Sequence, residues 1–222
     1  MKILAIDTAT ERCSVALRID GIVIERVVDT ARGHADLILP MVEAVLAEGG
    51  VGLRQLDGIA FGRGPGAFTG VRIAVGVVQG LAFGAELLTL GVSDLAAVAQ
   101  QTAQPGDNIL VCMDARMGEV YWATYRCGDN GLVAALEPER VGLPATVNPV
   151  VQPINRLAGT GVGAYPQIVT AFPGAEVHDN VLPRARDIAL LGEAELLAGR
   201  GLPAAEAQPI YVRDQVAVAK QM

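Results

Sequence analysis

The sequence predicts an α/β protein of two similar lobes, and three observations lead to this prediction. Residues 3–17 and 109–125 share one plan, in which an apolar strand ends in an aspartate and an alternating strand follows a short polar turn. After each of these units, apolar residues recur at the spacings typical of helices and strands. The composition, with 51% hydrophobic and 18% charged residues among 222, supplies enough apolar side chains for a large core.

The two aspartates that end these strands, Asp7 and Asp114, are 107 residues apart, which is close to half the chain. A polar turn leads from each hairpin into a further strand, so each lobe is predicted to open with three antiparallel strands. This internal repeat places the first lobe at residues 1–105 and the second at residues 106–222.

The remaining elements of the first lobe follow from apolar spacing and turn residues. The segment ARGHADLILPMVEAVLAEGG reads as a helix that two glycines end, and Pro40 is expected to kink it or to delay its regular start. A strand at 56–61 leads into the turn GRGPGAFTG, after which Thr69 is expected to cap the next helix. A short strand at 87–90 then precedes a helix that starts near Ser93.

The helix over residues 70–84 is apolar almost all the way round. Gly76, Gly80 and Gly84 are four residues apart and mark one face without side chains. Glycines at this spacing let another backbone approach, although each lowers helix stability by roughly 1 kcal/mol relative to alanine. Such a helix is either enclosed by its own lobe or shared with another chain. The residues predicted for a partner surface are Gly70, Arg72, Ile73, Gly76, Val77, Gly80, Leu81 and Gly84, with His34 and Ile38 in the preceding helix.

Arg72 is the single charge in this apolar neighbourhood, and two interpretations of it stay open. Its guanidinium either extends along the helix start to reach water or forms an ion pair with an acid of a partner. The net charge of −7 and the isoelectric point near 4.8 argue against direct binding to nucleic acid, which requires clustered Lys and Arg.

The cysteine count and the apolar runs predict a cytoplasmic protein without membrane contact. Cys13, Cys112 and Cys127 make an odd number and are expected to be buried thiols. The N-terminus does not resemble a secretory signal, and prolines and glycines interrupt the uncharged run 157–175, which makes that run a poor membrane span.

The motifs ILAIDTAT, HADLILP, GRGPGAFTGVRIAVGVVQGLA and MDARMGEVYWATY resemble those of the TsaB (YeaZ-type) family. Two halves that each open with three strands are also similar to the actin-like ATPase (ASKHA) superfamily, whose lobes are mixed sheets with flanking helices around a nucleotide cleft. The resemblance covers the first 125 residues and is most specific at 62–82. Beyond residue 140 it rests on the glycine turn at 159–163.

The resemblance implies a non-catalytic scaffold and activator that binds TsaD, the enzyme that threonylcarbamoylates the adenosine next to the anticodon in tRNAs. It also implies TsaE as a third component, a homodimer for the isolated chain, and tRNA contact only through the complex. No catalytic residue and no tightly bound cofactor is expected in this chain, because ATP belongs to the complex.

No metal site is predicted. The resemblance implies that TsaD places two histidines four residues apart on one face of a helix, where they share a metal ion. The corresponding stretch here reads GVSDLAAVA and has Ser93 and Ala97 at that spacing. The two histidines of the chain, His34 and His178, are 144 positions apart.

The superfamily uses acids at the ends of the two lead strands to hold a metal and its waters beside nucleotide phosphates. The candidates for vestigial nucleotide contacts in this chain are Asp7, Thr8, Thr10, Asp114 and Gly161. Ala9 stands where the superfamily has a phosphate-binding glycine, which weakens that interpretation. In the alternative, Asp7, Thr8 and Thr10 satisfy the amides of a turn.

Two other functions stay open from the residues alone. An autonomous ATPase or kinase would use Asp7 and Asp114, and tight ATP binding by the isolated chain would favour it. A peptidase would use Cys13 or Ser14 as nucleophile and needs a histidine and an acid within reach. Loss of a purified peptidase activity on mutating either residue would favour that function.

Overall fold

The computed structural model describes residues 1–213 and contains two mixed sheets with helices packed against them. This confirms the predicted two-lobed α/β architecture, in which an antiparallel hairpin opens each lobe. The end of the predicted second lobe, 214–222, lies outside the described residues.

The first sheet has five strands in the order β3–β2–β1–β4–β5. They are Lys2–Asp7 (β1), Arg12–Ile19 (β2), Ile22–Asp29 (β3), Gly58–Gly62 (β4) and Thr89–Val92 (β5). β1 pairs antiparallel with β2 and parallel with β4. The carboxyl ends of β1 and β4 therefore lie side by side, which brings Asp7 next to Gly62.

The second sheet follows the order β11–β10–β6–β7–β8, and β9 pairs with β7 outside this path. Its strands are Asn108–Asp114 (β6), Val120–Cys127 (β7), Val133–Ala135 (β8), Arg140–Gly142 (β9), Arg156–Gly159 (β10) and Glu176–Asp179 (β11). β6 is antiparallel to β7 and parallel to β10, as β1 is to β2 and β4. Asp114 thus ends its lead strand in the position that Asp7 has in the first sheet.

Within residues 1–213, six α-helices complete the lobes. They are His34–Glu48 (α1), Phe68–Ala85 (α2), Asp94–Thr102 (α3), Thr160–Ala164 (α4), Pro166–Ala171 (α5) and Ala185–Leu197 (α6). α1 and α2 pack on one face of the first sheet, where Val45 and Val78 join a buried cluster with Ile6. α6 covers the opposite face of that sheet.

Two helices cross the boundary predicted at residue 105. α3 precedes it but packs on the second sheet through Leu95 and Val98, whereas α6 follows it and packs on the first sheet through Ile188. After α6 the chain stays with the first lobe, where Leu202 pairs with Thr89. The sheets therefore follow the internal repeat, and the helices tie the two lobes together.

Two local predictions at helix starts are corrected. α1 begins at His34 and runs through Pro40, so the proline does not delay its start. α2 begins at Phe68 with Ala67 at the N-cap, and Thr69 lies inside its first turn. The helix begins earlier than predicted because the amide of Ala67 is already held by a carbonyl oxygen of the β1–β2 loop, at 2.7 Å. α3 begins at Asp94, close to the predicted start near Ser93, and Ser93 is its N-cap.

Candidate functional site

A cleft of about 880 Å³ lies between the lobes at the edge where the lead strands β1 and β6 end. The starts of α1 and α2 and the loops after β1 and β6 form its walls. Of the candidate nucleotide residues, Thr8, Thr10 and Asp114 line this cleft. Asp7 and Gly161 are buried behind its walls.

The first wall is held by its own turn hydrogen bonds. Asp7 and Thr10 each accept the backbone N–H of the residue two positions on, at 2.9 and 3.2 Å. The hydroxyl of Thr8 donates to the carbonyl oxygen of Gly70 at 2.7 Å, and Nε2 of His34 lies 3.0 Å from the carbonyl oxygen of Thr10. These contacts correspond to the structural role considered for this loop.

A second acid, Asp94, meets Asp7 behind the first wall. Both side chains have no exposed surface. A Cβ built on Gly62 would lie 2.6 Å from Oδ1 of Asp7 and 2.4 Å from Oδ1 of Asp94, so the two carboxyls converge on a position that only glycine leaves free. Oδ2 of Asp94 accepts the N–H of Gly64 at 2.6 Å. Asp7 Oδ2 and Asp94 Oδ1 have no hydrogen-bond partner within residues 1–213.

Burial raises the pKa of both carboxyls in this pair. Desolvation raises the pKa of Asp7 to about 6, although the N–H of Ala9 opposes the rise. Desolvation and then the charge of Asp7 raise the pKa of Asp94 well above its ordinary value. Since two like charges buried side by side cannot both ionise readily, the proton is retained on Asp94, whose pKa is raised further than that of Asp7.

Sequence reasoning missed Asp94. The dipeptide Ser93-Asp94 was the available signal, but polar residues at a helix start are ordinary caps. Ser93 does cap α3, since its Oγ accepts the N–H of Ala96 at 3.1 Å. Only the fold brings Asp94 to the end of β1, because β4 and β5 place the start of α3 beside that strand.

On the second wall, the carboxylate of Asp114 accepts hydrogen bonds from groups of its own lobe. Its carboxylate accepts the N–H of Arg116 at 2.9 Å, a guanidinium N–H of the same residue at 3.2 Å, and the hydroxyl of Tyr165 at 3.1 Å. Its own amide donates to Thr160 at 3.0 Å. Gly161, the second residue of α4, packs against a backbone carbonyl of β6, where a Cβ would lie 2.9 Å from the oxygen.

The two nucleophiles considered for a peptidase lie in the interior. Burial raises the pKa of Cys13 to about 11, and its Sγ is 3.8 Å from the sulfur of Met41. The hydroxyl of Ser14 accepts the N–H of Ala185 at 2.9 Å. In the described part of the chain, neither residue has a histidine among its hydrogen-bond partners. All three cysteines are buried free thiols, as predicted.

Within residues 1–213, no group of three His, Cys, Asp or Glu side chains is placed to hold a metal ion. At the stretch where a histidine pair was sought, Ser93 is a helix cap and Ala97 is a core residue without exposed surface. His178 lies on the far strand of the second sheet, 3.1 Å from a guanidinium nitrogen of Arg156.

The outer face of α2 is exposed and apolar, while its inner face packs into the first lobe. A Cβ on Gly76, Gly80 or Gly84 would meet no atom of the described residues within 4 Å. Phe83 stands beside these glycines and is 81% exposed. The half-buried side chains along this glycine stripe are Ile73, Val77 and Leu81. Within residues 1–213, the first lobe therefore covers only the inner face of the helix.

Three residues predicted for the partner surface lie elsewhere. Gly70 is buried, and a Cβ there would lie 2.0 Å from the carbonyl oxygen of Thr8, so this glycine serves the close approach of α2 to the first wall. Ile38 has no exposed surface because it points from α1 into the core. His34 lines the cleft at the first residue of α1.

Arg72 has partners in its own chain. Its guanidinium carbon lies 3.2 Å from the ring centroid of Phe68 and 4.8 Å from that of Tyr211, and it donates to the carbonyl oxygen of Phe68 at 3.1 Å. This geometry agrees with an arginine that extends along the helix start, and it makes the charge part of an aromatic stack. The sequence carried no signal that Tyr211 would reach this position.

By length and composition, α2 would also be able to cross a membrane. Helices that pack against the core of a soluble protein pass the same test. In this structure its inner residues Val71, Ala74 and Val78 are buried against the first sheet, which accounts for the apolar composition of that side.

Comparison with known proteins identifies close relatives over nearly the whole chain. Residues 8–212 match the family model described as TsaD, tRNA N6-adenosine threonylcarbamoyltransferase. The chain is 42% identical to the tRNA threonylcarbamoyladenosine biosynthesis protein TsaB of Escherichia coli K12, over 98% of this chain and 96% of that protein. It is 37% identical to the protein of the same name from Haemophilus influenzae, over 97% and 95% of the two chains.

Two solved structures share the fold and much of the sequence. One is an uncharacterized protein with similarity to the peptidase YEAZ from Pseudomonas aeruginosa, with a TM-score of 0.88, 42% identity, and coverage of 96% of this chain and 99% of that one. The other is YeaZ from the same organism, with a TM-score of 0.87, 42% identity, and coverage of 95% and 99%.

Proposed function

Because the chain belongs to the TsaB family of tRNA threonylcarbamoyladenosine biosynthesis proteins, we propose that it serves this pathway as the non-catalytic partner of TsaD. In this proposal the chain is a scaffold that activates TsaD for threonylcarbamoylation of the adenosine next to the anticodon. TsaE is the third component, ATP is bound by the complex, and the proteins meet in the cytoplasm.

The exposed glycine stripe of α2 carries the proposal. Gly76, Gly80 and Gly84 leave the helix backbone bare on its outer side, and Phe83 presents a large apolar side chain beside them. A helix of a partner can therefore approach the backbone of α2 closely while it removes the phenylalanine from water. Apolar aromatic groups of this kind are typical anchors of protein–protein interfaces.

The state of the cleft supports a non-catalytic role. Asp7 is buried behind the wall beside Asp94, and Asp114 is paired with Arg116, so neither acid of the lead strands presents a free carboxylate to the cleft. A metal held beside phosphates requires free carboxylate oxygens. The burial of Cys13 and Ser14 likewise gives no support to a peptidase.

The charge of the chain supports tRNA contact through the complex. A net charge of −7 repels the phosphate backbone, so binding to tRNA requires the cationic surface of a partner. In the proposed mechanism, the scaffold binds the active conformation of TsaD more tightly than the inactive one, and this difference in binding free energy shifts TsaD toward the active conformation.

The test measures complex formation with TsaD from the same organism by gel filtration with light scattering. Wild type is compared with Gly80→Leu, which is expected to fold because a Cβ at this position meets no described atom within 4 Å. Thr170→Leu is the matched control, because it adds a leucine to an exposed helical position in the second lobe. Wild type and the control should form a heterodimer, and Gly80→Leu should not.

The outcomes separate the proposal from its rivals. If wild type does not bind TsaD, the proposed partner is wrong, and calorimetry with ATP on the isolated chain then tests the autonomous ATPase. If Gly80→Leu binds as well as wild type, the stripe is not the binding surface. Transfer of the threonylcarbamoyl group by TsaD should fall together with heterodimer formation, since the scaffold acts only through binding.

A further inference from the structure

The last described segment of the chain, residues 207–213, runs along the first lobe and then crosses to the second. On the first lobe, the side-chain amide of Gln79 in α2 donates to the carbonyl oxygen of Ala207 at 2.8 Å. The amide of Ile210 donates to the carbonyl oxygen of Arg63 at 2.8 Å, directly after β4. These two hydrogen bonds attach the segment to the side of the cleft that α2 forms.

Tyr211 extends this attachment to the start of α2. Its ring centroid lies 5.9 Å from that of Phe68, and the Arg72 guanidinium is within cation–π distance of both rings. Tyr211 is 46% exposed and Phe68 54%, so the stack lies on the molecular surface beside the glycine stripe. The segment therefore touches the face of α2 on which the proposed function depends.

Arg213 attaches the end of the segment to the second lobe. Its guanidinium forms an ion pair with Glu119, donates to the carbonyl oxygen of Ala115 at 3.2 Å, and lies 5.8 Å from the ring centroid of Tyr121. Only 19% of the Arg213 side chain is exposed. A partly desolvated, charge-assisted contact of this kind is stronger than an ordinary surface ion pair.

A second set of contacts joins the two lobes outside the lining of the cleft. Ser93 and Tyr125 bring their hydroxyl oxygens to 3.2 Å at the point where the chain passes from the first sheet to α3. Arg63 and Glu139 form an ion pair at 3.3 Å between the same lobes. Opening of the cleft about these contacts would separate Arg213 on the second lobe from Tyr211 at the start of α2.

We propose that residues 207–213 form a strap that holds the two lobes together at the mouth of the cleft and must detach from one lobe before the cleft opens. The strap lines the cleft with Ile210, Tyr211 and Arg213, so it also limits what enters. Because Tyr211 stacks at the start of α2, detachment changes the surface beside the glycine stripe. The opening motion does not depend on which partner that stripe binds.

The test compares Arg213→Ala, which releases the strap from the second lobe, with Tyr211→Ala, which loosens it from the first. Spin labels at Leu39→Cys in α1 and Gln167→Cys in α5 report the distance between the lobes by pulsed electron resonance. Both positions are exposed, while all three native cysteines are buried. Hydrogen exchange of the Ile210 amide reports attachment of the strap directly.

Both variants should lengthen and broaden the distance distribution between the labels. Loss of the charge-assisted anchor of Arg213 should lower the exchange protection of the Ile210 amide by about tenfold. The control is Arg200→Ala, which removes an exposed arginine that pairs with Glu195 near the end of α6 and spans no cleft.

Unchanged distances and unchanged Ile210 protection in both strap variants would overturn the proposal. The proposal would also be overturned if Arg200→Ala opened the cleft as much as Arg213→Ala, because the effect would then not be specific to the strap. The replaced side chains are partly exposed, so the variants are expected to fold, and circular dichroism verifies this before the distances are compared.

Discussion

Asp94→Asn is expected to remove a large part of the pH dependence of stability. In wild type, Asp94 and Asp7 are buried together and Asp94 retains a proton in the folded state, whereas both are ionised in the unfolded chain near neutral pH. Asparagine has nearly the shape of aspartic acid. Its amide donates permanently to Asp7, and its oxygen can still accept the N–H of Gly64. The variant therefore supplies the hydrogen bond without binding a proton.

The magnitude follows from proton linkage. The folded pKa of Asp94 is raised, so its contribution to stability is fully present below the unfolded pKa near 3.8 and declines as the pH rises toward the folded pKa. Each pH unit over which the folded state holds one extra proton lowers the free energy of unfolding by about 1.4 kcal/mol. Over the pH range above 3.8 in which only the folded state holds this proton, the wild type should lose stability as the pH rises, and Asp94→Asn should not.

Chemical denaturation at pH 5, 6 and 7 measures this difference. The single tryptophan, Trp122, is 3% exposed in the second lobe, and its fluorescence reports unfolding. All other titrating groups are common to both proteins, so the variant minus wild-type difference isolates the pair. Asp129→Asn, at an exposed turn, serves as the control. A difference that is the same at every pH would refute the proton retained on Asp94.

Gly70→Ala should lower the free energy of unfolding by about 3 kcal/mol because its Cβ would overlap a backbone oxygen, whereas Gly76→Ala should raise it by up to about 1 kcal/mol because its Cβ has free space. Equal effects in denaturation curves would show that the two glycines do not differ in packing. Cys13 and Cys112, whose pKa values burial raises, should react with a disulfide reagent at pH 8 only as fast as the protein unfolds. Immediate reaction of the native protein would contradict their burial. Burial raises the pKa of Asp187 to about 7, so its contribution to stability is lost as the pH rises through that value. Between pH 5 and pH 8, the free energy of unfolding of Asp187→Asn should therefore rise by about 3 kcal/mol relative to that of wild type. Denaturation at those two pH values checks this, and a constant difference would count against it.

The elements and their repeat were predictable because their signals are local. The alternation around Asp7 and Asp114, and the helix start near Ser93, each depend on a few neighbouring residues, so strand and helix starts were found close to their observed positions. Errors arose where a tertiary contact outweighed a local preference. Thr69 is a better cap than Ala67, but the contact of Ala67 with the β1–β2 loop starts the helix earlier.

The candidate site was predictable only in part. The glycines at 76, 80 and 84 are visible as a four-residue period, and the structure leaves that period exposed. Gly70 belongs to the same sequence run, yet it faces the interior, because its backbone packs on Thr8. A helical period gives the faces of a helix, but the sheet decides which face is covered.

The sequence by itself determined the two-lobed plan, the glycine stripe and the lack of a histidine pair at the expected helix, since each is a matter of residue type and spacing. Only the tertiary structure decided that Asp94 meets Asp7, that Arg116 occupies Asp114, and that residues 207–213 cross between the lobes. Asp94 and Asp7 are far apart in the sequence, and so are residues 207–213 and the second-lobe residues that they contact. The contact of Arg116 with Asp114 depends on how the loop after β6 turns back. Such contacts form through chain topology and burial, which leave no periodic signal in the sequence.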